Sequence, residues 1–232
     1  RKVNAATGII TTVAGTGESG YGGDGGSGTL AQMREPNDCF LDGNGGLLIA
    51  DIQDQRVRRL DLITGIITTF AGDGEKRREG DGKPATEASI MGPRAVCMDS
   101  KGNTYIAERE GNGVRKVDAD GLMSTFAGTG ERGYSGDGGP ALTATWGAPK
   151  AIRCDNHDNV IVVDTENNAV RRIDVNTGIV TTIAGGHQGG DGDGANATDA
   201  GLERPHGCGI DRQGNLYIAD GINHRVRVVG MR

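Results

Sequence analysis

Four polar residues of different chemistry each stand directly after a proline, at intervals of 56 or 57 residues. They offer an amide, a guanidinium, an ammonium and an imidazole group: Asn37, Arg94, Lys150 and His206. Such groups recognise carbonyl, carboxylate or hydroxyl groups by hydrogen bonding. The sequence around them is nearly identical in each instance. We therefore expect the varying position to determine specificity for a ligand or partner, the alternative being four ordinary solvated side chains.

Asp38 and Arg153 carry charge where the corresponding residues elsewhere are small or apolar. The matching residues are Ala95, Ala151 and Gly207 for Asp38, and Phe40, Cys97 and Gly209 for Arg153. An unpaired charge in a protein interior is costly. We therefore expect both side chains to point into a hydrated channel or to lie at its rim.

An acid and a base also recur once in each copy of this pattern. The acids are Asp51, Glu108, Asp164 and Asp220, and the bases are Arg58, Arg115, Arg171 and Arg227. A repeated structural salt bridge or hydrogen bond explains this periodicity better than four active sites do. Each copy also has a Gly-Asp-Gly loop, with its Asp at position 24, 81, 137 or 191. We expect these side chains to brace their loops through backbone amides, with calcium binding as the alternative.

The histidines do not predict a metal centre. A metal-assisted hydrolase or lyase needs two or three histidines or carboxylates at one point. Only His206 follows a proline, whereas the other three histidines lie in separate turns and loops: His157, His187 and His224. The sequence also has no nucleophile elbow and no phosphate-binding loop. We predict no catalytic residue, no metal and no cofactor.

Three aromatic residues are candidate anchors for a protein partner. Tyr21 and Tyr134 occupy the same position beside the Gly-Asp-Gly loop, and Trp146 replaces a smaller apolar residue of the other copies. The alternative is that they pack the loop onto the body of the domain.

Composition restricts the class of protein and of partner. The chain has 232 residues, 42 of them glycine, which argues against a helical bundle. Its formal net charge of −6 argues against nucleic acid as the main partner, although Arg94, Lys150 and Arg153 could form a small basic rim. No apolar run is long enough for a membrane helix.

The four cysteines have no metal-type spacing and are expected to be free, buried thiols. Because the chain opens without Met, we expect it to start inside a longer parent or after processing.

A repeat of about 57 residues places these side chains. Thr7–Gly15 recurs as Thr64–Gly72, Gly121–Gly128 and Thr177–Gly185. Each copy reads as four short strands separated by Asp-x-x-Gly-Asn and Thr-Gly or Asp-Gly turns. Strands in sets of four predict the blades of an all-β propeller. We expect a single domain over 1–232, with repeats at about 7–63, 64–120, 121–176 and 177–232.

The number of blades stays open at this point. The last copy supplies three strands, and the fourth-strand sequence Ile9–Val13 stands at the other end of the chain. The N-terminal strand could complete the last blade and close a four-bladed ring. Alternatively, the chain is a segment of a larger, six-bladed propeller, because residues 1–4 duplicate a third-strand ending.

Two strings resemble the NHL repeat: Asn215–Asp220 and Asn223–Arg227. The resemblance covers essentially the whole chain, but the Asn-His element is intact only at Asn223-His224. It implies a propeller fold, usually of six blades, and a role as a platform for protein or RNA. Relatives in that family also include extracellular sensor domains and a metal-dependent lyase that cleaves amidated-peptide precursors.

The residues and the resemblance together predict a non-catalytic scaffold that binds another protein at the mouth of the channel. Neither nucleic acid nor a membrane is expected as a partner. The candidate binding residues are Asn37, Asp38, Arg94, Lys150, Arg153, His206, Tyr21, Tyr134 and Trp146. The alternative is a hydrolase or lyase with its active site in the axial pocket, around Asp38, Arg153 and His206.

Overall fold

The computed structural model, which describes residues 1–230, contains a series of antiparallel sheets, and each four-stranded sheet takes its fourth strand from the start of the next repeat. Blade 1 consists of β3 (Pro36–Leu41), β4 (Gly46–Asp51), β5 (Arg56–Asp61) and β6 (Ile67–Ala71). Blade 2 consists of β7 (Pro93–Met98), β8 (Thr104–Glu108), β9 (Gly113–Val117) and β10 (Met123–Ala127). Blade 3 consists of β11 (Ala151–Cys154), β12 (Val160–Asp164), β13 (Ala169–Ile173) and β14 (Val180–Gly185). The predicted all-β propeller is confirmed.

Blade 4 has three strands within the described residues, β15 (Pro205–Ile210), β16 (Asn215–Asp220) and β17 (Arg225–Gly230). An N-terminal hairpin of β1 (Lys2–Val3) and β2 (Ile10–Thr11) forms a separate sheet. The helices are single 3₁₀ turns: Gly28–Leu30, Ile52–Asp54, Ala85–Glu87, Ala141–Thr143, Thr165–Asn167 and Ala197–Asp199. No helix within residues 1–230 is both long enough and apolar enough to cross a membrane.

The first turn of each blade is held by one carboxylate. Asp211, for example, accepts hydrogen bonds from the backbone N–H groups of Gln213 and Asn215, at 2.9 and 2.8 Å. Because the Asp side chain accepts backbone N–H groups of its own turn, the sequence Asp-x-x-Gly-Asn is suited to connect the first two strands. These turns reverse the chain at the end of the blade opposite to the residues that follow proline.

The acid at the end of each second strand fixes the entrance to the first strand. Asp51 accepts hydrogen bonds from the N–H groups of Arg34 and Glu35, at 2.8 and 2.7 Å. Glu108, Asp164 and Asp220 each accept one from a residue in the same place. Because these amides lie just before the proline, the acids position the variable polar residue that follows it.

The recurring arginine ties the Gly-Asp-Gly loop to its blade. The side chains of Arg58, Arg115 and Arg171 are fully buried. They form ion pairs with Asp24, Asp81 and Asp137, respectively. Asp24 and Asp137 also accept the N–H groups of Thr69 and Thr182 on the fourth strand, at 3.0 and 2.8 Å. The contacts agree with a structural role for these charges.

In the fourth loop, the Asp that pairs with the recurring arginine is Asp193 and not Asp191, the residue expected from the sequence. Arg227 forms an ion pair with the Asp193 carboxylate at 2.6 Å. It contacts Asp191 through the backbone carbonyl of that residue and not through its carboxylate. The glycine before the paired Asp explains this choice. Gly192 has a φ of +87°, and a Cβ there would lie 2.6 Å from the Cα of Ala200. Gly23, Gly80 and Gly136 make the same close approach, so Asp193, and not Asp191, is the residue equivalent to Asp24.

Apolar clusters fill the spaces between successive blades. Residues of blades 1 and 2, such as Leu48 and Val96, share one cluster. Residues of blades 2 and 3, such as Tyr105 and Ile152, share another, and Ile161 and Ile218 belong to the cluster between blades 3 and 4. The inner strands therefore follow one another around an axis in the order β3, β7, β11, β15.

The N-terminal strand does not complete blade 4. It pairs within its own hairpin, Lys2 with Thr11 and Val3 with Ile10. The four-bladed ring closed by this strand is therefore wrong, and the four blades form an open series. Apolar side chains are exposed at both ends of the series, for example Leu41 at 63% and Val226 at 69%.

The cysteines are free, as expected. Cys97 is buried and lies 3.4 Å from Cys154, measured between the sulfur atoms. The expectation that all four are buried is met by Cys97 alone, because Cys154 and Cys208 are half-buried and Cys39 is exposed at the open face of blade 1.

Candidate functional site

The starts of the inner strands surround one cavity of about 170 Å³. All four blades contribute to it, through Asn37, Asp38, Arg94, Lys150, Arg153 and His206. Ala151 and Gly207 also line it and have little or no side chain. The structure thus brings together the four residues that follow a proline and the two charges of the inner strands.

Asp38 and Arg153 form an ion pair across the channel, from blade 1 to blade 3. The distance between Arg153 Nη1 and Asp38 Oδ2 is 3.1 Å. The same carboxylate oxygen accepts the N–H of Val96 in blade 2, at 3.2 Å. Burial lowers the pKa of the Arg153 guanidinium, but the hydrogen bond and charge of Asp38 outweigh this and raise that pKa above its usual value. One carboxylate therefore connects three blades.

Lys150 and His206 form the second polar contact of the cavity. Lys150 is only 8% exposed, and its Nζ lies 2.9 Å from His206 Nε2. With Lys150 as an ammonium, which can only donate, this contact requires Nε2 to accept and therefore a neutral ring with its proton on Nδ1. Burial lowers the pKa of Lys150, and the positive charges of Arg204, Arg109 and Arg94 lower it further.

The pKa of His206 is lowered for similar reasons. Burial has the largest effect, followed by the positive charge of Lys150. The lowered pKa agrees with a neutral ring that accepts the Lys150 proton.

Arg94 is the cation of the cavity without a partner. Within residues 1–230, its guanidinium donates no hydrogen bond and forms no ion pair, and only the more distant charges of Arg109, Glu35 and Asp38 act on it. Burial lowers its pKa, and the neighbouring charge of Arg109 does so too. Arg94 is therefore positioned at the cavity with its hydrogen-bonding capacity unused.

Asn37 is exposed and donates its side-chain amide to the carbonyl of Glu35, at 3.0 Å.

Glu166, Arg204 and Arg109 stand next to this cavity and were not predicted. Glu166 accepts a hydrogen bond from Arg204 at 2.8 Å and lies 3.8 Å from the Nζ of Lys150. Arg109 and Glu166 follow the second strands of blades 2 and 3, at positions that differ between the copies. The signal that identified the post-proline residues, variation within a repeated frame, could have identified these two as well.

The aromatic candidates lie away from the cavity. Tyr21 and Tyr134 are 41% and 43% exposed. Their hydroxyls are engaged within the chain, Tyr21 with Asp24 at 3.1 Å and Tyr134 with Thr182 at 2.8 Å. Trp146 is fully buried, and the guanidinium of Arg171 lies 4.4 Å from its ring centroid. The prediction of Trp146 as a protein-contact anchor is wrong, since it fills the core between blades 2 and 3.

The cavity has an excess of positive charge. Three cations and one carboxylate line it, whereas the chain as a whole has a net charge of −6. In the part of the chain that the structure describes, no group of three or more His, Cys, Asp or Glu residues is arranged to hold a metal ion. The arrangement is suited to hydrogen bonding with oxygen atoms, and above all with anionic ones.

Comparisons with known proteins agree with the repeat and the fold. The family model described as the Teneurin NHL domain matches residues 72–134. Protein SUPPRESSOR OF QUENCHING 1, chloroplastic, from Arabidopsis thaliana is 27% identical over 100% of this chain and 23% of its own length. NHL repeat-containing protein 2 from Bos taurus is 26% identical over 100% of this chain and 36% of its own length. The chain thus spans about a quarter to a third of the length of these relatives.

A solved structure gives the same fold. An auxiliary nutrient binding protein from Bacteroides thetaiotaomicron superposes with a TM-score of 0.66 and 20% identity, over 87% of this chain and 49% of that one. At this identity the likeness concerns the fold alone. The fourfold repeat, the blades and the sequence matches support the assignment of the chain to the NHL-repeat β-propeller family.

Proposed function

We propose that this chain is a non-catalytic binding domain that docks another protein on the face at the mouth of its channel. The observation that carries the proposal is the convergence of six polar side chains, from all four blades, on one cavity. The repeated acids and arginines hold the frame of each blade in the same way. The residues that differ between the blades are the ones that meet at this face.

The size of the cavity supports a protein partner. Pockets that enclose a small-molecule ligand or cofactor usually measure about 300–1,000 Å³. The present cavity, of about 170 Å³, is smaller. It suits one side chain of a partner whose other contacts lie on the rim, where Asn37 and His206 are exposed.

Its charge pattern supports protein over nucleic acid. Asp38 lies among the cations of the cavity, and Glu166 stands beside Lys150. A protein surface that binds nucleic acid needs a continuous basic patch to contact the phosphates. A mixed set of charges is more suited to a partner with its own mixture of polar groups.

A hydrolase or lyase is the alternative that the same residues suggest. The general base would be His206 or Asp38, because both line the cavity. In the structure, however, His206 Nε2 contacts Lys150 and the Asp38 carboxylate contacts Arg153. Both groups would have to exchange these contacts for a substrate, which makes binding the better-supported role.

Site-specific photo-crosslinking tests this proposal. A photoreactive amino acid is placed at Asn37, on the rim, or at His157, in the turn at the opposite end of blade 3. Both positions are exposed. The crosslinked protein is identified and purified, and its affinity is measured for the wild type and for Lys150→Met.

We expect crosslinks from position 37 and not from 157. Since hydrogen bonds to a charged group contribute about 1.5–3 kcal/mol, Lys150→Met is expected to weaken binding about tenfold or more. Crosslinks from position 157 alone would contradict the proposal. Turnover of a small molecule that is lost in His206→Gln would instead establish the enzyme alternative.

A further inference from the structure

We infer that the cavity receives a carboxylate side chain of the docking protein, held between Arg94 and Lys150. The inference rests on the proposed function and specifies the chemistry of the partner. The carboxylate belongs to an Asp or Glu in an exposed segment of that protein.

The internal ion pairs leave these two cations available. Asp38 is engaged by Arg153 at 3.1 Å. Glu166 lies 3.8 Å from Lys150 but is bound more closely by Arg204, at 2.8 Å. Within residues 1–230, the Arg94 guanidinium donates no hydrogen bond and forms no ion pair, although the charges of Glu35 and Asp38 lie close enough to raise its pKa against the effect of burial. Asp38 and Glu166 are thus paired with Arg153 and Arg204, and Glu35 accepts the Asn37 amide at 3.3 Å, so two cations of the cavity lack an anionic hydrogen-bond partner.

Lys150 is positioned as a donor inside the cavity. Its side chain is nearly buried and contacts the neutral Nε2 of His206 at 2.9 Å. An ammonium has three donors, so this contact leaves capacity for an incoming oxygen. A guanidinium such as Arg94 binds a carboxylate with two parallel hydrogen bonds. The two groups can therefore share one carboxylate.

The inner strands leave room for the incoming group. Ala151 and Gly207 line the cavity at the positions where blade 1 has Asp38. A carboxylate built into either position would fill the space and neutralise a cation from within the chain. Ala151 in blade 3 has only a methyl group, and Gly207 in blade 4 has no side chain. Both therefore keep the space beside Lys150 and His206 open.

The electrostatic environment favours an anion. The pKa of Lys150 is lowered by burial and by the cations Arg204, Arg109 and Arg94, and the charge of Glu166 offsets this only in part. A bound carboxylate would offset this repulsion and raise the pKa of Lys150 again. Binding of a carboxylate is therefore expected to be accompanied by tighter proton retention at Lys150 and His206.

Short blocked peptides test the inference directly. Three peptides, acetyl-Gly-Gly-X-Gly-Gly-amide with Glu, Gln or phosphoserine at X, are titrated at low ionic strength into the isotope-labelled protein. Amide NMR shifts report the position and the affinity of binding. Arg94→Gln and Lys150→Met remove the proposed contacts. Lys101→Gln removes a positive charge from the exposed first turn of blade 2, at the opposite end, and serves as the matched control.

The Glu peptide is expected to shift the amides around residues 94, 150 and 206 and to bind about tenfold more tightly than the Gln peptide, a difference of about 1.4 kcal/mol. Each cavity variant is expected to lose most of that preference, and Lys101→Gln to keep it. Equal binding of Glu and Gln peptides, or shifts away from these residues, would overturn the inference. Binding of the phosphoserine peptide without the Glu peptide would also overturn it.

The two proposals fail in different ways. If the peptides show no preference but the purified partner still requires Lys150, only the carboxylate is wrong. If the Glu peptide binds at the cavity but the partner crosslinks from position 157, the carboxylate site stands as a small-anion site and the docking face is wrong.

Discussion

Arg153 of blade 3 reaches across the channel to Asp38 of blade 1, with 3.1 Å between Nη1 and Oδ2. The two residues are separated by 115 positions in the sequence. Each replaces a small or apolar residue of the other repeats, and the two replacements compensate each other. The contact closes the floor of the cavity without a covalent link between the blades.

Breaking this ion pair is expected to destabilise the fold. Asp38→Ala leaves Arg153 without its carboxylate and the Val96 amide without its acceptor. We expect a loss of about 1–3 kcal/mol in the free energy of unfolding. A double-mutant cycle with Arg153→Ala, measured by urea denaturation, should give a coupling energy of about 0.5–3 kcal/mol. A coupling energy of zero would show that the pair contributes nothing.

The buried arginine of each blade is expected to contribute more. Arg171 is fully buried and lies near Asp137 at 2.7 Å and Asp164 at 3.5 Å. Arg171→Met keeps the apolar stem but leaves buried carboxylate charge without its partner, which costs about 3–5 kcal/mol. Arg212→Met, at an exposed position, is the control and should change stability by less than about 0.5 kcal/mol. Similar losses in both variants would contradict the structural role of Arg171.

The Gly-Asp-Gly loops should make the protein sensitive to acid. Partial burial tends to raise the pKa of Asp137, but hydrogen bonds from Thr182 and Arg171 outweigh it and hold this pKa below its usual value. A carboxylate with a lowered pKa stabilises the folded state above the ordinary Asp pKa of about 3.9. That contribution is lost as the pH falls through the folded-state pKa.

Unfolding measured against pH checks this expectation. Asp137→Asn should be less stable than the wild type at neutral pH, and the difference should shrink below about pH 4. A difference that stays constant or grows in acid would show that Asp137 acts through something other than its charge.

The close approach of loop and strand predicts different effects at two glycines of one loop. Gly136 has a φ of +92°, and a Cβ there would lie 2.7 Å from the Cα of Ala144. Gly138 has a φ of +80° but open space around it. Gly136→Ala should therefore lower the free energy of unfolding clearly more than Gly138→Ala. In Gly138→Ala only the left-handed backbone is unfavourable, by about 1–2 kcal/mol. Thermal unfolding of both variants measures the difference, and equal losses would contradict the packing described for Ala144.

The sequence predicted the frame of this protein better than its ends. The period and the turn residues define the blades because each copy carries the same Asp, Gly and Pro at the same places. The six polar residues of the cavity were identified because they vary within that frame. Trp146 was misassigned for the opposite reason, since a larger residue at a core position can extend the core as easily as it can contact a partner.

Two further features needed three dimensions. Gly190–Gly194 contains two Asp residues, and only the approach of Gly192 to Ala200 shows which of them Arg227 binds. Closure of the ring depends on strand pairing, and the fourth-strand sequence Ile9–Val13 fits either end of the series. Pairing of β1 with β2 decides between them.

The central claim is that the mouth of the channel is the docking face. Hydrogen–deuterium exchange of the purified protein, alone and with its identified partner, tests it most directly. We predict that the partner slows exchange at 36–39, 93–96, 149–152 and 205–208, with no change at the turns around His157 and Lys101. Protection confined to those turns, or to β17 (Arg225–Gly230) at the open end of blade 4, would contradict the claim.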